Sequence, residues 1–499
     1  MKYHADKTKM WDAWFLNIDG TVHAFHLQMP LQDSDLPFAE AWSIGHAISS
    51  DLIHWIQCPN ILPPLQDERD PKDFGSKFTG CAIEKDGKYY LYYTMRDKVN
   101  YDQRIGVAIS EDAYNWTRYP KNPVIEPDTD KFIGYGPRDP EWGIVDCRDF
   151  VVIKNPADGL YYGYFVAAAM IGRMSPVGAI VAAVSDDLLN WKNQTIVYVP
   201  RSNGMIEVPD VYYMNGKWYL TVLTGNHYCG RAGTYDEYIN NYTLFAVADH
   251  PLGPFTEPDR NVFIGGIANS GFTCRTVEKD GKRYVLYVDR PAGIETLSLP
   301  KEVHVDSEDR PGPYYAEILT NLRTDTIIGR DHLPELTERP ANSFAWKTYG
   351  GIFTKENNKI IAVTEPFSWQ AEGFGTGAHN IEFNADVTLK GAVSAGLWIS
   401  CRTGEKRIDN LFLLEPENGR VILTKFYDFS NYAARKYEFN QNTSYQIKLI
   451  LIDGVCELYV NNHLLLQCGI EMLETSNAGF FCDRGTAEFE NISLYALEE

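Results

Sequence analysis

The sequence has few features of a protein that binds membranes, nucleic acids or metal ions. Only 46 of its 499 residues are Lys or Arg against 67 Asp or Glu, which gives a formal net charge of −21. Such an acidic chain is a poor partner for nucleic acid or an anionic membrane surface. No apolar run approaches the roughly 20 residues of a transmembrane helix. The first residues also lack the apolar core of a signal peptide. We therefore expect a cytoplasmic protein with neither nucleic-acid nor membrane partners.

Cysteine and metal signals are equally weak. The nine cysteines are odd in number and scattered, without a Cys-x-x-Cys pair, which is typical of reduced thiols in the cytoplasm. Metal-ligand spacings and phosphate-binding glycine loops do not stand out, so we expect no metal and no cofactor. Helical periodicity is scarce, whereas Phe, Trp and Tyr make up 13% of the chain.

The strongest positive signal is a turn that recurs five times and is followed each time by an aromatic strand. The turns are Asp19-Gly20, Asp86-Gly87, Asp158-Gly159, Asn215-Gly216 and Asp280-Gly281. Asn-Gly and Asp-Gly suit two-residue hairpins because both residues tolerate positive φ. The spacing of roughly 60–70 residues fits one four-stranded sheet for each repeat. We predict a five-bladed β-propeller over residues 1–335.

A second repeat follows the first within each blade. It reads SSDLIHW at 49–55, SEDAYNW at 110–116 and SDDLLNW at 185–191, with a degenerate copy at 248–255. We expect the acidic turn to end one strand and the Trp to pack between blades, since buried aromatic residues dominate core energetics.

The C-terminal part is β-rich and more regular. Residues 381–387 and 445–451 alternate apolar and polar side chains, and Asn418-Gly419, Asp453-Gly454 and Asn461-Asn462 mark turns. This spacing predicts a β-sandwich over residues 344–499. A polar linker through Pro334, Pro340 and Asn342 precedes it. The expected fold is all-β, with a five-bladed β-propeller followed by a C-terminal β-sandwich.

Three acids lie just before the recurring turns, in the first strands of three blades. Asp12, Asp149 and Glu207 have aromatic or apolar neighbours, and we expect them to occupy equivalent places around the central channel. Crowded carboxylates repel each other and raise at least one pKa. Glycoside cleavage needs one ionised and one protonated carboxyl group. A nearby RDP sequence at 138–140 lacks the strand and hairpin that follow Asp149, so we prefer Asp149.

Short motifs around these positions resemble those of a known family. They are GHAISSDLIHW at 45–55, FTGCA at 78–82, QRIGVA at 103–108, KNPVI at 121–125, RD at 148–149 and EVPD at 207–210. Together they resemble glycoside hydrolase family 32, the invertase, inulinase and levanase family, whose clan of five-bladed propellers also contains family 43. The resemblance covers most of residues 1–300 and continues more weakly to the C-terminus.

The resemblance implies a role for each acid. Asp12 would be the nucleophile, Asp149 the transition-state stabiliser and Glu207 the acid/base of a retaining β-fructofuranosidase. Retention would place the carboxyl groups of Asp12 and Glu207 about 5–5.5 Å apart. The substrate is expected to be a small oligosaccharide; the oligomeric state stays open. The residues expected to bind substrate are Gln28, Trp11, Trp42, Phe78, Thr79, Arg148 and Asp210.

The neighbours of the acids depart from the family pattern. Trp11 stands where the family has Asn, Phe150 replaces the Pro of "RDP", and Val208 replaces the Cys of "ECPD". These changes keep three alternatives open: a fructosyltransferase, a family 43-like arabinofuranosidase or xylosidase, and a carbohydrate-binding propeller without turnover.

Overall fold

The first half of the chain folds into small antiparallel sheets. The computed structural model describes residues 2–31, 35, 42–64, 77–96, 102–128, 146–169, 177–201, 206–225, 241–267, 272–290, 293–329, 333, 337–338, 351–403, 406–425, 431–469 and 477–498. Three separate four-stranded sheets come first, each with its strands in sequence order. They consist of β1 (Thr8–Ile18), β2 (Thr21–Pro30), β3 (Ile44–Ser49) and β4 (Ile56–Ile61); β5 (Phe78–Lys85), β6 (Lys88–Arg96), β7 (Gln103–Ser110) and β8 (Thr117–Arg118); and β9 (Arg148–Lys154), β10 (Tyr161–Ala169), β11 (Val177–Ser185) and β12 (Lys192–Tyr198).

The same meander continues into a larger sheet. Its first strands are β13 (Glu207–Met214), β14 (Lys217–Gly225), β15 (Asn241–Ala248), β16 (Val262–Ile267), β17 (Phe272–Lys279), β18 (Lys282–Asp289), β19 (Thr296–Leu297), β20 (Lys301–Val305) and β21 (Pro311–Tyr315). Strands β1, β5, β9, β13 and β17 contact one another in that order, and β17 returns to β1. We call these five the inner strands. The predicted all-β chain with a propeller arrangement is confirmed.

The C-terminal strands continue the large sheet, and several long strands among them pair with more than one neighbour. A 3-10 helix (Glu317–Leu322) precedes β22 (Arg323–Ile328), β23 (Thr337–Glu338), β24 (Gly351–Glu356), β25 (Lys359–Gly375), β26 (Ile381–Lys390), β27 (Ser394–Thr403), β28 (Lys406–Glu415), β29 (Arg420–Lys425), β30 (Asn431–Lys436), β31 (Ser444–Ile452), β32 (Val455–Val460), β33 (His463–Gly469) and β34 (Asn477–Leu497). The first part of β34 pairs with β27, whereas its second part pairs with β26. One large apolar cluster includes residues of β25, β26, β27 and β34. The predicted linker residues Pro334, Pro340 and Asn342 lie outside the described residues.

Four of the five predicted hairpins have the expected geometry. Both residues of the turns at 19–20, 86–87, 215–216 and 280–281 have positive φ, as a two-residue hairpin with the right twist requires. The prediction is wrong at Asp158-Gly159, where residues 155–160 separate β9 from β10. There Asn155 Nδ2 donates to Asp158 Oδ2 at 2.9 Å, and the backbone NH of Gly159 donates to the Asn155 carbonyl at 2.9 Å. This longer turn uses Asp158 as a hydrogen-bond acceptor.

The second repeat is a local hydrogen-bonded turn, repeated three times. Ser49, Ser110 and Ser185 each accept a bond from the NH three residues later. The Trp that follows packs on the preceding sheet in two cases. The Trp116 ring lies 5.8 Å from Phe25, and the Trp191 ring lies 6.1 Å from Tyr92. Packing of these Trp residues between sheets is thus confirmed.

Two buried ion pairs join segments that are far apart in the sequence. Lys2 Nζ lies 3.2 Å from Asp289 Oδ2, and Lys301 Nζ contacts Glu457 Oε1. All four side chains are fully buried. Tyr459 also donates to Glu457 at 2.6 Å. The Lys301–Glu457 pair links β20 to β32 and thereby fixes the two parts of the chain against each other. Among the described residues, no helix is long and apolar enough to span a membrane.

Removing one member of the Lys301–Glu457 pair should destabilise the folded protein. In Glu457→Gln, the Lys301 charge stays buried without its counterion, so we expect a loss of about 3–5 kcal/mol in the free energy of unfolding. The double variant Lys301→Met/Glu457→Gln should lose less, because it leaves no unpaired charge. Denaturant unfolding of the full chain measures both.

The exposed pair Lys217–Asp249 (2.6 Å) supplies the control. Asp249→Asn is expected to change the unfolding free energy by less than about 1 kcal/mol. An equal loss in Glu457→Gln and Asp249→Asn would contradict the assigned importance of the buried pair.

Candidate active site

Each inner strand breaks register near its start, at the same level of the ring. Two residues of the inner strand oppose one residue of the next strand, which is the pattern of a β-bulge. The breaks lie between Trp11 and Ala13, Phe78 and Cys81, Arg148 and Val151, Glu207 and Asp210, and Phe272 and Arg275. The first bulged residue has positive φ in four strands: Asp12 (25°), Asp149 (60°), Val208 (46°) and Thr273 (51°). Such bulges re-aim side chains and store strain, as functional sites often do.

The three acids do not occupy equivalent positions in the bulges, contrary to the prediction from the sequence. Asp12 and Asp149 occupy the same bulge position, and Thr79 is their counterpart in β5. Glu207 lies one residue earlier and corresponds to Trp11 and Arg148. Because neighbouring residues of a strand point in different directions, Glu207 approaches the cluster differently. Its side chain keeps 29% exposure, whereas that of Asp149 keeps 4%.

Hydrogen bonds connect the bulges across neighbouring sheets. Thr79 Oγ1 donates to Asp12 Oδ2, which joins β5 to β1. The hydroxyl of Thr94 donates to the Thr79 carbonyl at 2.9 Å and accepts from the Asp149 NH at 3.0 Å. The Val208 NH then donates to Asp149 Oδ2 at 2.9 Å. The two aspartates are therefore held by the same chain of bonds that fastens four inner strands together.

Arg148 links two of the three acids. Its Nη2 donates to Glu207 Oε1 at 3.4 Å, and its Nε lies 3.5 Å from Asp149 Oδ2. Nη1 donates to Asp146 Oδ1 at 2.6 Å, which orients the guanidinium. The predicted binding residue Arg148 is thus part of the acid cluster itself.

The electrostatics of the cluster favour protonated aspartates. Burial raises the pKa of Asp12 to about 7, and the nearby charges of Asp149 and Glu207 add to this, whereas the Thr79 hydrogen bond and Arg275 oppose it. Burial also raises the pKa of Asp149, against the lowering effect of Arg148. The site can therefore hold a proton among its acids near neutral pH, as acid/base catalysis requires.

The other predicted binding residues make contacts of their own. Gln28 lies opposite Met10 in the β1–β2 pair and donates to Ser43 at 3.1 Å, next to Trp42. The partly exposed Trp11 directly precedes Asp12. The partly exposed Phe78 precedes Thr79 and lies 5.3 Å below the Arg96 guanidinium.

Asp210 faces the protein scaffold. Its Oδ2 accepts the Thr276 NH at 2.7 Å, its Oδ1 accepts the Val211 NH at 3.1 Å, and Arg275 lies 4.0 Å from it. These contacts bind β13 to β17. Two hydrogen bonds leave further lone pairs on this carboxylate, so the expectation that Asp210 binds sugar stays a prediction beside its structural role.

Two residues of the site were missed in the sequence. Thr94 is fully buried, and Arg275 is 2% exposed in an otherwise apolar strand start. A search for carboxylates alone overlooks both. An arginine inside the GFTCR segment was the available signal, since a buried arginine always needs partners. The alternative RDP sequence at 138–140 lies outside the described residues.

The N-terminal half of the chain matches a known protein family. Residues 13–260 match the family model "Glycosyl hydrolases family 32 N-terminal domain". The chain belongs to glycoside hydrolase family 32. The family 32 match begins one residue after Asp12, so the placement of that residue rests on strand register and contacts.

Relatives of this family 32 chain are distant. A fructan 1-exohydrolase w2 of Triticum aestivum is 29% identical over 190 residues, covering 37% of this chain and 27% of the wheat protein. A levanase of Bacillus sp. (strain L7) is 22% identical over 96% of this chain and 50% of its own length. The chain thus spans half or less of these curated relatives. A Bombyx mori GH32 beta-fructofuranosidase structure has a TM-score of 0.67 and 18% identity, covering 99% of this chain and 94% of that one.

The raised pKa of Asp12 predicts a stability effect with a definite sign. Between its ordinary pKa of 3.8 and about 7 the folded state binds the extra proton, so stability falls as pH rises through this window. Asp12→Asn removes the buried charge and should raise the melting temperature at pH 8 by about 2 °C or more. The difference should vanish below about pH 4.

Thermal scans across this pH range measure the effect, with Asp19→Asn as the control in an exposed hairpin turn. Asp19→Asn is expected to leave the pH profile of stability unchanged. If the wild type and Asp12→Asn had the same melting temperature at pH 8, the charge on Asp12 would not destabilise the folded protein, which contradicts this prediction.

Proposed function

We propose that this chain is a retaining, exo-acting glycoside hydrolase that cleaves β-fructofuranosidic bonds in small fructose-containing oligosaccharides. The observation that carries the proposal is the cluster of Asp12, Asp149 and Glu207, with Arg148 between the last two. Such a cluster combines an ionised and a protonated carboxyl group, the pair that glycoside hydrolysis requires.

We assign to each acid the role that the family resemblance implies. The Asp12 carboxylate attacks the anomeric carbon and displaces the leaving-group oxygen, to which Glu207 gives its proton. Glu207 then takes a proton from water, whose oxygen attacks the anomeric carbon and releases Asp12 from its ester. The Thr79 bond holds Asp12 in place. Asp149, the more deeply buried acid, accepts bonds from sugar hydroxyls in the transition state.

The choice of fructosides is supported by the relatives. Fructan exohydrolases and a levanase are among the curated proteins matched, and two related structures contain sucrose or fructosylnystose. We propose small fructosides as substrates of this chain by the same chemistry. We also keep the proposal of a cytoplasmic location, which would suit imported oligosaccharides.

We further propose that the inner strands belong to five blades and that the C-terminal strands form a β-sandwich. The blade count is supported by the pairing of β17, β18, β20 and β21, by the closed ring of contacts and by the bulge in each inner strand. The sandwich is supported by the one large apolar cluster to which β25, β26, β27 and β34 all contribute. Since β22 already pairs with β34, we place the domain boundary before Arg323 instead of at residues 335–344.

Hydrolysis of a defined panel tests the function. The panel contains sucrose, 1-kestose, inulin-type and levan-type oligomers, and nitrophenyl α-L-arabinofuranoside and β-D-xyloside. We expect the wild type to release fructose, with Asp12→Asn and Glu207→Gln slower by about a thousandfold or more. Asp19→Asn, in the exposed turn of the same hairpin, serves as the matched control and should retain full activity.

The outcomes separate the alternatives. Release from only the arabinoside or xyloside would contradict the proposal and favour a family 43-like enzyme. Longer fructosides formed at high sucrose would favour a fructosyltransferase. Sugar binding without turnover, unchanged in Asp12→Asn, would favour a binding protein.

A further inference from the structure

A buried arginine lies beneath the acid cluster and has no part in the proposed mechanism. Arg275, in the inner strand β17, is 2% exposed. Its Nη1 donates to the Pro209 carbonyl, and its Nη2 donates to the Gly80 carbonyl at 3.4 Å. The Asp210 carboxylate lies 4.0 Å away. One side chain of β17 therefore reaches two other inner strands, β13 and β5.

Both carbonyls belong to the bulges that present functional groups. Gly80 directly follows Thr79, whose hydroxyl bonds Asp12. Pro209 lies two residues after Glu207, in the bulge that begins at Val208. The Gly80 backbone is tightly packed, since a Cβ there would lie 1.8 Å from the Tyr92 carbonyl. The guanidinium thus sets the separation between β5, whose Thr79 bonds Asp12, and β13, which carries Glu207.

The charge of Arg275 also acts on the cluster. Asp12 is faced by the negative groups Asp149 and Glu207 and by Arg275, which lowers the pKa of Asp12. Asp149 is faced by Arg148, Glu207 and Arg275, and Arg275 lowers its pKa as well. An opposite charge favours the ionised form of a buried carboxyl group.

Burying this arginine is costly for the fold. Within the described part of the chain, Arg275 Nε has no hydrogen-bond partner, and an unsatisfied buried polar group destabilises the folded state. Apolar side chains of similar size often replace buried ion pairs without loss of stability. The arrangement is therefore better explained by the acid cluster than by stability.

We propose that Arg275 is a positioning residue of the active site, which holds the Thr79–Gly80 and Glu207–Asp210 bulges at working distance and allows Asp12 to ionise. This inference rests on the proposed hydrolysis of fructosides. Arginine is needed because its rigid planar guanidinium donates to two carbonyls at once, a geometry that the flexible ammonium group of lysine does not reproduce.

The test separates charge from geometry. The variants are Arg275→Lys, Arg275→Gln and Arg275→Gln/Asp210→Asn, the last of which leaves no buried Asp210 without its partner. The matched control is Arg283→Gln, since Arg283 in the adjacent strand β18 bonds Thr276 and Glu278 instead. The readout is kcat and the pH profile of kcat/KM on the fructoside that the wild type cleaves best.

In Arg275→Lys, the acidic limb of the pH profile of kcat/KM should stay within about 0.3 pH unit of the wild type. Its kcat should fall about tenfold or more. Both Gln variants should move the acidic limb upward by about one pH unit. Arg283→Gln should match the wild type in both respects. An unmoved limb in the folded double variant, or full kcat in Arg275→Lys, would overturn the proposal.

A second readout does not depend on activity. The melting temperature difference between Asp12→Asn and its parent, followed against pH, reports the ionisation of Asp12. In the Arg275→Gln/Asp210→Asn background, this difference should begin at the same pH but keep growing to higher pH than in the wild-type background, because only the pKa of Asp12 in the folded state moves. A wild type inactive on every fructoside would refute the proposed function, while an unchanged pH dependence of this difference would refute the role of Arg275.

Discussion

The inner edge of each sheet is the constraint on which the site depends. The first strand of each small sheet has a strand partner on one side only, and its other edge faces the ring formed by the inner strands. Unpaired backbone groups inside a protein must find other partners. Here a bulge in every inner strand turns backbone and side chains toward the neighbouring sheets. Thr79, Thr94, Asp149 and Arg275 then supply the missing bonds. The same bonds that close the ring also hold the acids.

This arrangement explains why the acids are close together although they are unfavourable neighbours. Burial and mutual repulsion raise the pKa of Asp12 and Asp149, and two arginines moderate the effect. The free-energy cost of burying these acids side by side is offset elsewhere, above all by the aromatic packing between sheets and by the apolar cores. The buried Lys301–Glu457 ion pair fixes the C-terminal strand β32 against β20. The site can therefore keep strained bulges because a rigid scaffold surrounds them.

Much of the fold and the acid set could be predicted from local sequence signals. Turn residues such as Asp19-Gly20 carry their own conformational preference, and the Trp repeat marks the same turn in each of the first three sheets. The offset of Glu207 could not be predicted, because a bulge changes register without changing the alternation of residue types. The prediction of a two-residue hairpin at Asp158-Gly159 is wrong because Asn155 offers a competing hydrogen-bonded turn. Thr94 and Arg275 act through contacts between distant strands, which short motifs do not encode.

The central claim is that the bulges present Asp12 as a nucleophile within a cluster of three acids. Trapping of the glycosyl-enzyme tests it most directly. Glu207→Gln would be mixed with a β-fructofuranosyl fluoride, quenched rapidly and digested, and the peptides analysed by mass spectrometry. The account predicts one added fructosyl unit on the peptide containing Asp12, and none when Asp12→Asn is combined with Glu207→Gln. A label on another carboxylate, or turnover that inverts the anomeric configuration without a label, would contradict it.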